Sequence, residues 1–170
     1  MASKQYVIVV GTDYSSHGYR AVRAAGREAA KHPHGRLHVV HVVPSLGPLH
    51  ELPPLAFSSF AAPKLTTEQD AELTRLDEHV AAALDNLDLP GQLQIETRVL
   101  AGEPELLLLE LAWDLRANVM VVGTRGRRQT TRWALGSVAE TVVRQAPCAV
   151  LVIGPRVQLS REQQAKSAPS

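Results

Sequence analysis

Cysteine is nearly absent from this sequence. Cys148 stands alone, so no disulfide can form within the chain, and the count suits a reducing compartment. An excess of charge is missing too. Eighteen Lys and Arg face seventeen Asp and Glu, a formal net charge of +1. Proteins that hold nucleic acid by bulk charge are usually strongly basic, so no nucleic-acid partner is expected. No segment approaches the roughly 18 uninterrupted apolar residues of a membrane helix. The opening MASKQYVIVVG has only a short apolar stretch before an acidic turn. A signal peptide needs a longer apolar region and a small-residue cleavage site. A cytoplasmic chain without a membrane partner is therefore expected.

What is present is ordinary in amount. The 170 residues are 45% apolar and 21% charged, enough for one domain with a proper core. Strand and helix patterns alternate. Tyr6 to Gly11 is a short β-branched run ending in Thr12-Asp13, and helical spacing follows from Ser16 to Lys31 until Pro33 closes it. Leu37 to Val43 reads as the second strand. Leu73, Leu76, Val80, Leu84 and Leu87 mark a helical face, with Thr66-x-x-Gln69 as its capping box. Leu93 to Val99 alternates like a half-exposed edge strand. Pro104 suits the first turn of a helix reaching Leu115. Val119 to Val122, Ser137 to Gln145 and Ala149 to Ile153 read as strand, helix and strand.

Five strands alternating with four helices imply an open parallel sheet with helices on both faces, a single α/β domain over residues 5–154. Ligands of such sheets bind beyond the carboxyl ends of the strands, where strand order reverses. Pro44 to Pro63 carries five prolines and is expected to be a long loop. Residues 155–170 are polar and are expected to form a flexible tail.

The stretch VMVVGTRGRRQTTRWALGSVAETVV carries the chemistry. A buried-type strand ends at Gly123, Gly126 follows, and Gly136-Ser137 opens a helix. Glycine lets backbone approach an anion closely and allows positive φ. A helix start offers free N–H groups and a positive dipole end. From Leu115 to Ala139 there are five arginines and no Asp or Glu, a local bias toward an anionic ligand or partner. Structural readings stand beside this one. Gly123 can simply end a strand, Ser137-x-x-Glu140 can simply cap a helix, and the arginines can be a solvated face. The loop is neither a Walker A loop nor the dinucleotide fingerprint.

Gly123-x2-Gly126-x9-Gly136-Ser137 resembles the nucleotide loop of the ATP-binding universal stress proteins. VIVVGTDYSS resembles that family's opening strand, and SVAETVVRQAPCAVLVI its final helix and strand. The resemblance implies a Rossmann-like, adenine nucleotide alpha hydrolase-like sheet of order 3-2-1-4-5. It implies ATP at the junction of strands one and four, with Mg2+ or Mn2+ as accompanying ion, and a homodimer. Thr12 and Asp13 would then sit by the ribose and adenine, and Val42 would line the adenine pocket. Gly123, Gly126, Gly136, Ser137 and Val138 would hold ribose and phosphates, with Arg125 beside them. Asn118 departs from the family's usual Asp. An apolar last strand at a sheet edge invites pairing with a second copy, so the dimer is expected through Ala149–Ile153.

Other candidates read as structural. His38 and His41 face opposite sides of a strand and cannot share a metal. Cys148 and Trp113 are expected to pack in the interior. Trp133 can pack or cover the nucleotide. No triad, paired carboxylates or metal cluster is legible, so no catalytic residue and no metal site is assigned. The expected function is a nucleotide-dependent regulatory protein of the stress response, at most a slow ATPase or self-phosphorylating protein. An ATP-using enzyme of the wider hydrolase-like group is one alternative, although the first strand lacks a Ser-Gly-rich pyrophosphate loop. A nucleotide-free dimeric module is the other.

Overall fold

The first strand, β1 (Tyr6–Gly11), runs through the middle of the structure, and Val7 to Val10 are buried. Its continuous apolar run, without polar alternation, marks a strand covered on both faces. The computed structural model describes residues 5–43, 67–124 and 135–155. The expectations placed on Pro44–Pro63, Thr66, Arg125, Gly126, Trp133 and the tail beyond Pro155 lie outside these residues.

The remaining elements are α1 (Ser16–Ala29), β2 (Gly35–Val43), α2 (Thr67–Leu84), β3 (Gln94–Ala101), α3 (Pro104–Asp114), β4 (Val119–Gly123), α4 (Ser137–Gln145) and β5 (Ala149–Ile153). The five strands form one parallel sheet in the order β3-β2-β1-β4-β5, as expected. Side chains alternate across β1. Ile8 and Val10 point to a core shared with α1 and α2, and Val7 and Val9 to one shared with α3 and α4. The order reverses between β1 and β4, which places the switch point at the ends of these two strands.

Small residues let α1 lie close to the sheet. Gly18, Ala21, Val22, Ala25, Gly26 and Ala29 form its buried side. At Gly18 an added Cβ would sit 2.6 Å from Thr12 Oγ1 and 2.9 Å from Asp13 Oδ1, so only glycine permits this approach. β3 is the edge strand that its alternation predicts, with Ile95 exposed and Val99 packed on the first core. His38 is 2% exposed in the core, where burial holds its imidazole below the ordinary value despite Glu96 at 3.5 Å.

Two packing expectations need correction or trimming. Trp113 is not interior: it is 71% exposed. The buried side of α3 is Leu108, Leu111 and Ala112, and the next residue is turned about 100° outward. Leu106 to Leu109 are four leucines in a row, which at about 100° apart point to most sides of the helix, so the periodicity does not reveal which side is covered. Cys148 is half-buried against the second core, and burial pushes its thiol pKa up. Among the described residues no helix is long and apolar enough to cross a membrane.

Candidate functional site

The carboxyl ends of β1 and β4 lie side by side in the sheet. The chain leaves β1 through Thr12 and Asp13 and leaves β4 through Gly123 and Thr124. Thr124 N donates to Ile153 O at 3.0 Å, and Gly136 N donates to Thr124 O at 2.8 Å. Those bonds close the base of the glycine-rich loop. They bring Gly123, Gly136, Ser137 and Val138 to one place, although 125–134 separate them in sequence.

Gly136 is the N-cap of α4, with φ −66° and ψ 154°, and as a glycine it supplies no side-chain cap. Two expectations change here. Gly136 has ordinary extended backbone, not positive φ. Ser137 is the first helical residue and not the cap, so the capping-box reading of Ser137-x-x-Glu140 fails; Glu140 instead pairs with Arg144 at 3.1 Å. Ser137 is exposed. The opening turn of α4 thus has no capping side chain at Gly136 to take its N–H groups, and its positive dipole end meets one acid, Glu140, whose carboxylate pairs with Arg144. The hydroxyl of Thr124 is buried there and has no hydrogen-bond partner among the described residues, a vacancy that a polar ligand would satisfy.

Gly123 has a packing role. A Cβ there would meet His17 Cβ at 2.9 Å and its backbone at 3.0–3.1 Å. The glycine lets the start of α1 close over β4. Val42 lies at the end of β2, half-buried against the second core and paired in register with Leu100.

The sequence from residue 7 to residue 154 matches the family model described as "Universal stress protein family". The chain belongs to the universal stress protein family. A putative universal stress protein of Staphylococcus aureus (strain USA300) is 32% identical over 140 residues, covering 79% of this chain and 72% of the relative. A universal stress protein solved in complex with cAMP is 28% identical, with a TM-score of 0.58 over 89% of this chain and 98% of that one. Another from Lactobacillus plantarum shares the fold at 24% identity and TM-score 0.58, over 89% of this chain and 99% of that one.

In this universal stress protein the end of β1 is held by residues that the sequence reading passed over. Thr12 is buried. Its Oγ1 lies 3.0 Å from His79 Nε2 and accepts from Tyr14 N at 3.3 Å, and its carbonyl lies 2.8 Å from His41 Nδ1. Tyr14 has a positive φ of 62°, a conformation that costs a bulky residue energy. Its ring packs on His41, meets His79 edge-on, and carries Arg75 at 4.3 Å. His41 Nε2 lies 3.5 Å from Glu72 Oε1. Burial holds the His79 pKa below its ordinary value; the Asp13 carboxylate opposes this, and His41 and Arg75 reinforce it. The Asp13 carboxylate accepts from Ser15 N at 3.0 Å, which orders the turn into α1. His79 gave no signal in sequence because its partner is 67 positions away.

Asn118 stands at the other end of β4. Its Oδ1 accepts from Val7 N and its own N donates to Val7 O, both at 2.8 Å. Asn118 thus fastens the beginnings of β1 and β4 with groups that Asp would offer as well, about 16 Å from the crevice at roughly 3.3 Å per residue. Among the described residues no group of three or more His, Cys, Asp or Glu could hold a metal ion.

Proposed function

We propose that this universal stress protein binds an adenine nucleotide, ATP foremost, in the crevice between the ends of β1 and β4, and that it acts as a nucleotide-dependent regulator in the stress response. The open N-terminus of α4 behind Gly136 is the observation that carries the reading. A phosphate would accept from its free N–H groups in the favourable field of the helix. The Thr124 hydroxyl, which has no partner among the described residues, and the complex of a 28% identical relative with cAMP support the same site.

In this reading Gly126, Gly136, Ser137 and Val138 hold the phosphates, with Arg125 beside them. Thr12, Asp13 and Val42 border the sugar and base, and Gly123 keeps α1 close. Mg2+ or Mn2+ would arrive with the nucleotide. No general base is assigned, so turnover is at most slow.

The protein acts as a homodimer in this proposal. Among the described residues β5 pairs with β4 alone, and Leu151 on it is 40% exposed. A two-fold pairing of β5 with its copy would cover that edge. Leu151→Lys would then lower the mass in solution toward that of a monomer.

Calorimetric titration of the stripped protein with ATP, joined to a turnover assay, tests the nucleotide reading. One site per chain with negligible turnover is expected. Absence of binding by any adenine nucleotide at millimolar concentration would overturn it.

A further inference from the structure

A second cavity lies between α1 and α2, about 790 Å³ in volume and open to solvent. Its walls include Arg20, Arg23 and Arg27, with Tyr14, Tyr19 and His79. None of the residues assigned to the nucleotide lines it, and no Asp or Glu is among the described residues that do.

The arginines recur three and four positions apart, so they share one side of α1. Their states differ. Arg23 is committed: its Nη1 donates to Ala83 O at 2.9 Å and Asp85 O at 2.8 Å, tying down the end of α2. Arg20 is not. Its Nε is buried and has no acceptor among the described residues. Arg27 is exposed at the last turn of α1 and has no ion pair among the described residues. Glu28, the only acid within α1, pairs with Lys31 at 2.6 Å and lies 3.7 Å from His32.

This arrangement is unfavourable when empty. Like charges at helical spacing repel. A buried N–H without an acceptor loses the hydrogen bonds it had in water. An anion in the groove removes both penalties. The planar guanidinium fork matches phosphate oxygens in pairs. Seven residues separate Arg20 from Arg27, about 10 Å along the helix, which is too far for one phosphate to bridge. Tyr19 is held in place, since its hydroxyl donates to Ala82 O at 2.8 Å, so the wall between the arginines is built rather than loose.

We propose that the groove between α1 and α2 is a second anion site, separate from the nucleotide crevice, which takes a ligand carrying two or more phosphate groups on Arg20 and Arg27. The probe is inorganic tripolyphosphate, titrated into the full chain at constant ionic strength and followed by backbone amide NMR. Saturable shifts are expected from Ser16 to Arg27 and at His79. The Arg20→Gln/Arg27→Gln variant should bind at least tenfold more weakly there, with a melting temperature that holds or rises and with the tight step of the ATP titration unchanged. Orthophosphate should bind at least tenfold more weakly than tripolyphosphate. Shifts confined to Gly136–Val138, shifts reproduced by chloride at equal ionic strength, or equal affinity in the double variant would each overturn the second site. Equal affinity for orthophosphate would overturn the two-phosphate requirement. ATP binding that fails in wild type while these shifts persist would refute the nucleotide reading alone.

Discussion

Two helices begin at the same edge of this sheet, and their first turns are opposites. α1 is closed. Ser15 caps it, its Oγ accepting from Gly18 N at 3.1 Å, and Asp13 orders the approach through Ser15 N. α4 is open, because the residue at its cap is Gly136, which has no side chain to turn back. A capped helix start has its donors satisfied by the protein. An uncapped one keeps them for something else. The difference between serine and glycine at equivalent positions thus separates an end that holds the fold from an end that can hold an anion.

The largest expected effect comes from closing the open end. Gly136→Asp supplies a cap and a negative charge where phosphate would sit. ATP affinity should fall at least tenfold, about 1.4 kcal/mol, while the melting temperature holds or rises slightly. Titration calorimetry with a thermal melt reads both. Undiminished binding would show that the α4 start is not the phosphate site.

Opening the closed end is the converse. Ser15→Ala should cost about 1 kcal/mol of stability and leave ATP affinity where it was. Chemical denaturation measures the first and titration the second. A matched loss of affinity would mean that the two ends are not distinct.

A smaller effect concerns pH. The folded pKa of His79 is depressed by burial, so below about 6.5 the unfolded chain takes up the proton more readily than the folded one. The stability due to His79 is complete above that pH and declines as pH falls toward the folded value. His38 acts in the same direction. Denaturation of wild type and His79→Gln across pH 5 to 8 isolates the His79 share: the variant should show a shallower slope. Identical slopes would remove His79 from the account. Smallest of all, the amides of Ser137 and Val138 should exchange with solvent faster than that of Gly18, and ATP should slow only the former.

Much of this was open to reading from the sequence. Apolar runs ending in Thr12 and Gly123 marked buried strands, and the alternation around Ile95 marked an edge. Such patterns report local burial, which each residue's neighbours in sequence largely determine. The glycine spacing and the start of α4 near Ser137 were legible for the same reason. The side of α3 that faces out was not, because four successive leucines, Leu106 to Leu109, point to most sides of the helix and mark no direction, and so Trp113 was misplaced. The bounds of α4, Ser137–Gln145, were legible too, and only the alternative reading of Ser137 as its cap failed, since Gly136 holds that place.

By itself, then, the sequence determined the alternation of strands and helices, the membership in the universal stress protein family and the glycine-rich segment between β4 and α4. Only the tertiary structure decided what surrounds that segment. The contacts of Thr12 with His79 and of Gly123 with His17, and the gathering of Arg20, Arg23 and Arg27 beside Tyr14 and His79, join residues distant in the chain. Local patterns are set by the preferences of adjacent residues. Contacts between remote ones exist only once the strands have paired and the helices have packed across them.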